Sequence, residues 1–192
     1  GMDADTQHYS DNELVGLSLR EPRYFAVLVD RFEAPLARYI GRLGRFSPED
    51  IEDILQNIFL KLYENLNGFD TDLKFSSWAY RIAHNEAISY YRRAAARPEG
   101  YQVALPDEII ENVLAETNVE HEVSTIEATK YLLQALEELP THYREIIILR
   151  YFEYKEYDEI SDILELPPGT VAIRLKRGKE RLKKLLERHG HN

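Results

Sequence analysis

The chain has 192 residues, 44% of them hydrophobic, and a formal net charge of −10 at pH 7. That length allows one or two domains, and the apolar fraction supports a packed core rather than a disordered chain. No Cys is present, which excludes disulfides and thiolate chemistry, and neither an apolar run near ~18 residues nor a signal-peptide pattern occurs.

Gly1 ahead of Met2 reads as the remnant of a cleaved tag, and residues 1–9 are polar and expected to be disordered. Ser10 and Glu13 have capping-box spacing and open a short helix through Leu14, Val15 and Leu17, which Glu21-Pro22 breaks. Phe25, Leu28, Val29, Phe32, Leu36, Tyr39 and Ile40 recur at three and four and predict an amphipathic helix, with a kink or restart at Pro35. Ser47-Pro48-Glu49-Asp50 then supplies a cap, a Pro at the first helical position and first-turn acids. The helix it starts buries Ile51, Ile54, Leu55, Ile58, Phe59 and Leu62, carries Asp53, Gln56 and Asn57 on a more polar side, and stops near Leu66. Asn67 to Lys74 is a loop in which Phe69 and Leu73 are either anchors or exposed groups. Phe75 to Arg93 is one helix, with Trp78, Ile82, Ala83, Ala87 and Ile88 available to pack inward. Its aromatics alternate with Arg81, Arg92 and Arg93, a pattern suited to single-stranded DNA, whose bases stack on rings while its phosphates meet cations. An ordinary core helix with a basic end fits the same spacing.

From Glu99 to Glu127 there are eight acids and no Lys or Arg, and residues 96–123 read as an acidic linker with a short helical piece at Glu108 to Leu114. A second domain begins at Ser124, where Glu127 completes another capping box, and its first helix carries Ile126, Tyr131, Leu132, Leu136 and Leu139 before Pro140. Tyr143 to Phe152 forms the next helix. The stretch from Tyr157 to Arg188 then holds two amphipathic segments around a break at Glu165 to Gly169, where Pro167 and Pro168 cannot extend the first and Thr170 can cap the second. Between Thr170 and Arg188 eight Lys or Arg stand against two Glu, a local net of +6 in an acidic chain. A tight turn followed by a basic helix is a helix-turn-helix, the form of a major-groove reader. A plain helical hairpin with a solvated basic face is the alternative. The fold class is therefore all-α, with two small helical domains, residues 10–95 and 124–189, joined by the acidic linker.

Three segments taken together resemble a known family. They are EDILQNIFLKLYENL with FSSWAYRIAHNEAI and YYRR in the first half, then LEELP with Tyr143-Arg144, then ISDILELPPGTV with Arg174, Leu175 and Arg177 in the second. Over nearly its whole length the chain resembles group 4, or extracytoplasmic-function, sigma factors of bacterial RNA polymerase. The resemblance implies a region 2 domain, a linker and a region 4 domain. It implies that Asp53, Gln56 and Phe59 lie in the segment that binds core polymerase, with Phe59 turned more inward. Asn67, Phe69, Phe75, Trp78, Arg81, Asn85, Arg92 and Arg93 would serve the opened −10 element, and Thr170, Ala172, Ile173, Arg174, Lys176, Arg177 and Lys179 the −35 element. The chain departs from the common pattern at His84, Ser89, Ala172, Ile173 and Gly178. Ala172 and Ile173 offer apolar contact to a thymine methyl, so an unusual −35 preference is expected.

The implied partners are RNA polymerase core, promoter DNA and an anti-sigma factor, and the implied location is the cytoplasm, with the anti-sigma factor able to hold the protein at a membrane. No catalytic, metal or cofactor constellation is visible: His84 and Glu86 do not make HExxH, six His without Cys give no zinc spacing, and no phosphate-binding Gly-rich loop occurs. An autonomous two-domain repressor, and a sigma mimic that binds an anti-sigma factor without opening DNA, are the alternative readings.

Overall fold

The computed structural model of the protein describes residues 4–93, 106–117 and 125–190, and every regular element among them is helical. Two compact units divide near residue 102.

The first unit is built on four helices, α1 (Asp11–Arg20), α2 (Phe25–Leu43), α3 (Pro48–Glu64) and α4 (Phe75–Arg93). Ser10 Oγ accepts from the Glu13 amide at 3.1 Å and starts α1, and Pro22 forces the break after it. α2 runs unbroken through Pro35, so no restart occurs there; Phe32, Leu36, Tyr39 and Ile40 bury its face on both sides of the missing N–H. α3 opens on a full capping box: Ser47 Oγ accepts from the Asp50 amide at 3.1 Å, and Asp50 Oδ2 accepts from the Ser47 amide at 3.0 Å. Asp50 is also buried, and its second oxygen accepts from the Tyr90 hydroxyl at 2.6 Å, so the cap ties α3 to α4. Lys61 of α3 pairs with the buried Glu86 of α4. Between them lie Ile54, Ile58, Leu62, Ala79, Ala83 and Ala87, whose small and large side chains let α3 and α4 pack closely.

The second unit holds α5 (Asp107–Thr117), α6 (Thr125–Glu138), α7 (Thr141–Ile147) with a π-helical turn at Ile148–Phe152, α8 (Tyr157–Leu164) and α9 (Pro168–Gly190). The stretch expected to be linker with a short helical piece at Glu108 to Leu114 contributes α5, which buries Ile109, Ile110, Val113 and Leu114 and packs against α6 and α9. Spacing at one, three and four residues puts those four on one side, while Glu108, Glu111 and Glu116 stay exposed. Apart from Pro106, the rest of residues 96–123, and Ser124, lie outside the described residues. In α6, Ala128, Leu132, Ala135 and Leu136 form the buried stripe, and Ile126 is 83% exposed. Pro140 ends α6, and Arg144 then satisfies the orphaned carbonyls: its guanidinium donates to Leu136 O at 2.7 Å, Glu137 O at 2.8 Å and Leu139 O at 2.9 Å.

Candidate polymerase and nucleic-acid interfaces

On α3, Asp53 and Gln56 are exposed, and Phe59 is half-buried beside them. Leu60 and Tyr63 extend the same outward side at three- and four-residue steps, 55% and 46% exposed. The sequence reading singled out neither, although neither fits the buried stripe of Ile51, Ile54, Ile58 and Leu62. The α3 surface is thus mixed, acidic near its N-terminus and apolar near its C-terminus.

Three devices shape the loop between α3 and α4. Leu66 to Gly68 makes a short 3-10 turn. Asp70 turns the chain, its side chain accepting from the Asp72 amide at 3.0 Å and its carbonyl from the Leu73 amide at 3.0 Å. Beneath the loop, Phe69 stacks on Trp78 with ring centroids 5.0 Å apart, and Phe75 lies edge-on to Phe32 and Trp78 at 5.2 and 5.8 Å. Phe69 and Phe75 are buried, 8% and 1% exposed, so the direct strand contact expected of them does not fit; they pack under the loop and hold it up. The loop's exposed surface is polar and carries Asn67, Asp70, Thr71, Asp72 and Lys74. Trp78 and Arg81 are half-buried and Asn85 exposed, at i, i+3 and i+7 along one side of α4. The side chains of Arg92 and Arg93 lie outside the described residues.

In the second unit, α8 ends at Glu165 in the left-handed conformation (φ 55°), and the Leu166 amide returns to Ser161 O at 3.0 Å. Pro168 then occupies the first position of α9, where a missing N–H costs nothing. Thr170 therefore sits inside the first turn rather than capping it, its amide donating to Pro167 O at 3.0 Å. Val171, Leu175, Gly178, Leu182 and Leu186 face the core. The opposite side exposes Ala172, Ile173, Lys176 and Arg177, with Thr170, Arg174 and Lys179 partly buried along its margins. Ile173 is 52% exposed between Ala172 and Arg174. Lys179 is engaged within the unit, 3.8 Å from Glu116 of α5.

Among the described residues, no group of three or more His, Cys, Asp or Glu side chains is placed to hold a metal ion, and no helix is long and apolar enough to cross a membrane.

Comparison with known proteins agrees with this layout. Residues 28–97 match the Sigma-70 region 2 family, and residues 129–182 match Sigma-70, region 4. The chain is 34% identical over 169 residues to the ECF RNA polymerase sigma factor SigW of Bacillus subtilis (strain 168), covering 84% of this chain and 88% of the relative. It is 33% identical over 165 residues to the ECF RNA polymerase sigma-E factor of Escherichia coli (strain K12), covering 83% and 85%. A solved structure of CnrH in complex with the cytosolic domain of CnrY shares the fold, with a TM-score of 0.68 at 24% identity over 93% of this chain and 97% of that one. The sigma factor RpoE from Bartonella quintana, solved with the anti-sigma factor NepR, superimposes with a TM-score of 0.60 at 20% identity over 85% and 96%. With region 2 and region 4 present in order and such relatives matched over most of their length, the chain belongs to the ECF sigma-factor family of RNA polymerase.

Proposed function

We propose that the protein is a promoter-specificity subunit that binds RNA polymerase core, recognises −10 and −35 elements and promotes strand opening. The observation that carries this is the pair of differently built surfaces on two helical units. One is a propped polar loop beside Trp78, Arg81 and Asn85; the other is a helix-turn-helix with an outward basic and apolar face.

Core binding is assigned to the α3 surface, with Asp53 and Gln56 as polar contacts and Leu60 and Tyr63 as apolar ones; Phe59 supports them from its half-buried position. An extruded base leaves its stack at a cost of a few kcal/mol, and a preformed pocket recovers part of that cost. The Asn67–Lys74 rim would read the edge of such a base, while Trp78 offers a ring surface and Arg81, Arg92 and Arg93 offer cations to the strand. Asn85 carries an amide able to donate and accept at a base edge. In the second unit, Lys176 and Arg177 would reach base edges or phosphates, and Ala172 and Ile173 would meet a thymine methyl. Thr170, Arg174 and Lys179, on the margins of the face, would position it on the backbone. An anti-sigma factor is the regulatory partner in this reading, supported by the two structural neighbours solved with partner chains. The protein would act in the cytoplasm, where core enzyme and promoter DNA are, and a membrane-bound partner would hold it in reserve.

The test is transcription in vitro with core enzyme on fragmented genomic DNA, followed by mapping of start sites. New starts sharing two spaced elements, dependent on both core and this protein, are the expected result. Palindromic duplex sites bound without core would favour an autonomous repressor.

A further inference from the structure

Asn12 sits on α1, far in sequence from the loop between α3 and α4, yet its side chain holds both sides of the loop's exit. Its Nδ2 donates to Leu73 O at 3.1 Å and, at longer range, to Thr71 O at 3.4 Å. Its Oδ1 accepts from the Phe75 amide at 3.1 Å. Phe75 is the first residue of α4, so this amide is one of the helix's orphan donors. Lys74, just before it, has no side-chain acceptor to offer, and the cap arrives from another helix 63 residues away. A carboxamide is suited to this task because one planar group presents a donor and an acceptor together. The Asp70 turn shapes the loop's middle and the Phe69–Trp78 stack ties its start to α4, while the Asn12 carboxamide holds its last residues at the first amide of α4.

We propose that Asn12 is a positioning residue for promoter recognition: it sets the register between the polar loop rim and the Trp78–Arg81–Asn85 side of α4. It touches no DNA itself. The inference rests on the reading of the loop as the site that captures a −10 base. A pocket formed by two segments discriminates bases only while the segments keep their spacing, and a displacement of about 1 Å is enough to spoil such a fit.

Two substitutions separate positioning from stability. Asn12→Asp keeps an acceptor for the Phe75 amide and adds favourable charge at a helix N-terminus, but turns an oxygen toward the Thr71 and Leu73 carbonyls. Asn12→Ala removes both functions. The full-length variants are assayed with core enzyme on a promoter library randomised across the −10 element, alongside core affinity by titration and thermal unfolding. The expected result for Asn12→Asp is wild-type core affinity and a smaller loss of melting temperature than in Asn12→Ala, with base discrimination within the −10 element reduced about five- to tenfold. Asn12→Ala is expected to lose discrimination and melt earlier. Wild-type discrimination by Asn12→Asp, or a uniform drop over all promoters with the ranking kept, would overturn the assignment. If the wild-type protein itself supports no core-dependent transcription, the functional reading fails first, which distinguishes the two.

Discussion

Gly178 lies inside α9 with ordinary helical geometry, and a Cβ built there would meet Tyr143 Cβ at 3.5 Å and Ile147 Cδ1 at 3.6 Å. Those are comfortable contacts, so Ala fits, adds packing and removes the entropic cost of Gly in a helix. Gly178→Ala is expected to stabilise the second unit by about 0.5–1 kcal/mol, read as a raised denaturant midpoint. Arg144 is the opposite case. Three carbonyls at the end of α6 depend on its guanidinium, and no neighbouring residue stands in sequence to replace it. Arg144→Ala should cost about 2–3 kcal/mol, and Arg144→Lys, which keeps the charge without the fork, should recover only part of it. Unfolding of the full chain monitored by denaturant titration checks both; an Ala variant within experimental error of the parent would remove the assignment.

Among elements, α3 and α5 carry the clearest consequences. Asp53 and Gln56 are exposed and support no core packing, so changing both to Lys should leave melting unchanged and weaken core binding by tenfold or more, on the order of 1.4 kcal/mol. Titration against core enzyme decides it, and unchanged affinity would sink the assignment of this face. α5 brings Glu116 within 3.8 Å of Lys179 and close enough to Tyr151 to act on its phenol. Burial, then the Glu116 charge and then Tyr157, push that phenol up to about 12 against the lesser pull of Arg150. Between pH 10 and 12 the folded unit therefore keeps a proton that the unfolded chain has lost, and stability falls as pH rises through that window. Glu116→Gln should lower the phenol's value while leaving the contribution from burial, and denaturant midpoints at pH 9 and 11 would then differ less than in the parent. The same helix shows why parts of this fold were hard to read from the sequence. Its helical spacing was legible as a short piece at Glu108 to Leu114, but its eight-acid surroundings placed it in a linker, because the α6 and α9 surfaces it packs on are not local. Local signals did carry through. The Ser10 and Ser47 caps, the Pro167-Pro168 break and the apolar face of α9 are written within a few residues of where they act. What was not legible is non-local: the Tyr90 hydroxyl on Asp50, the inward turn of Phe69 and Phe75, and the amide of Asn12 depend on partners dozens of residues away.

At the scale of the whole molecule, a net charge of −10 coexists with a +6 segment on the helix-turn-helix. Salt at ~0.15 M screens the distant acids beyond ~8 Å but leaves close pairs such as Glu116–Lys179 largely intact. Free full-length protein should therefore bind promoter duplex weakly, and the Glu116→Gln variant somewhat better, while core enzyme should convert two weak contacts into one linked, tight contact. Fluorescence anisotropy on one duplex at matched salt, with and without core, distinguishes these cases; tight sequence-specific binding by the free chain would contradict them. α9 has a mechanical consequence as well. Its 23 residues form a rod about 34 Å long, clasped by α6 near its far end, where His189 meets Glu138 at 2.8 Å. The tip that carries Ile173 lies about 20 Å from Leu186 along the axis, so a tilt of only about 3° at the clasp swings that tip by about 1 Å. If α9 reads the promoter as proposed, a substitution at Leu182 or Leu186 that tilts the rod would reach the Ile173 face as a displacement, although both side chains are buried in the core.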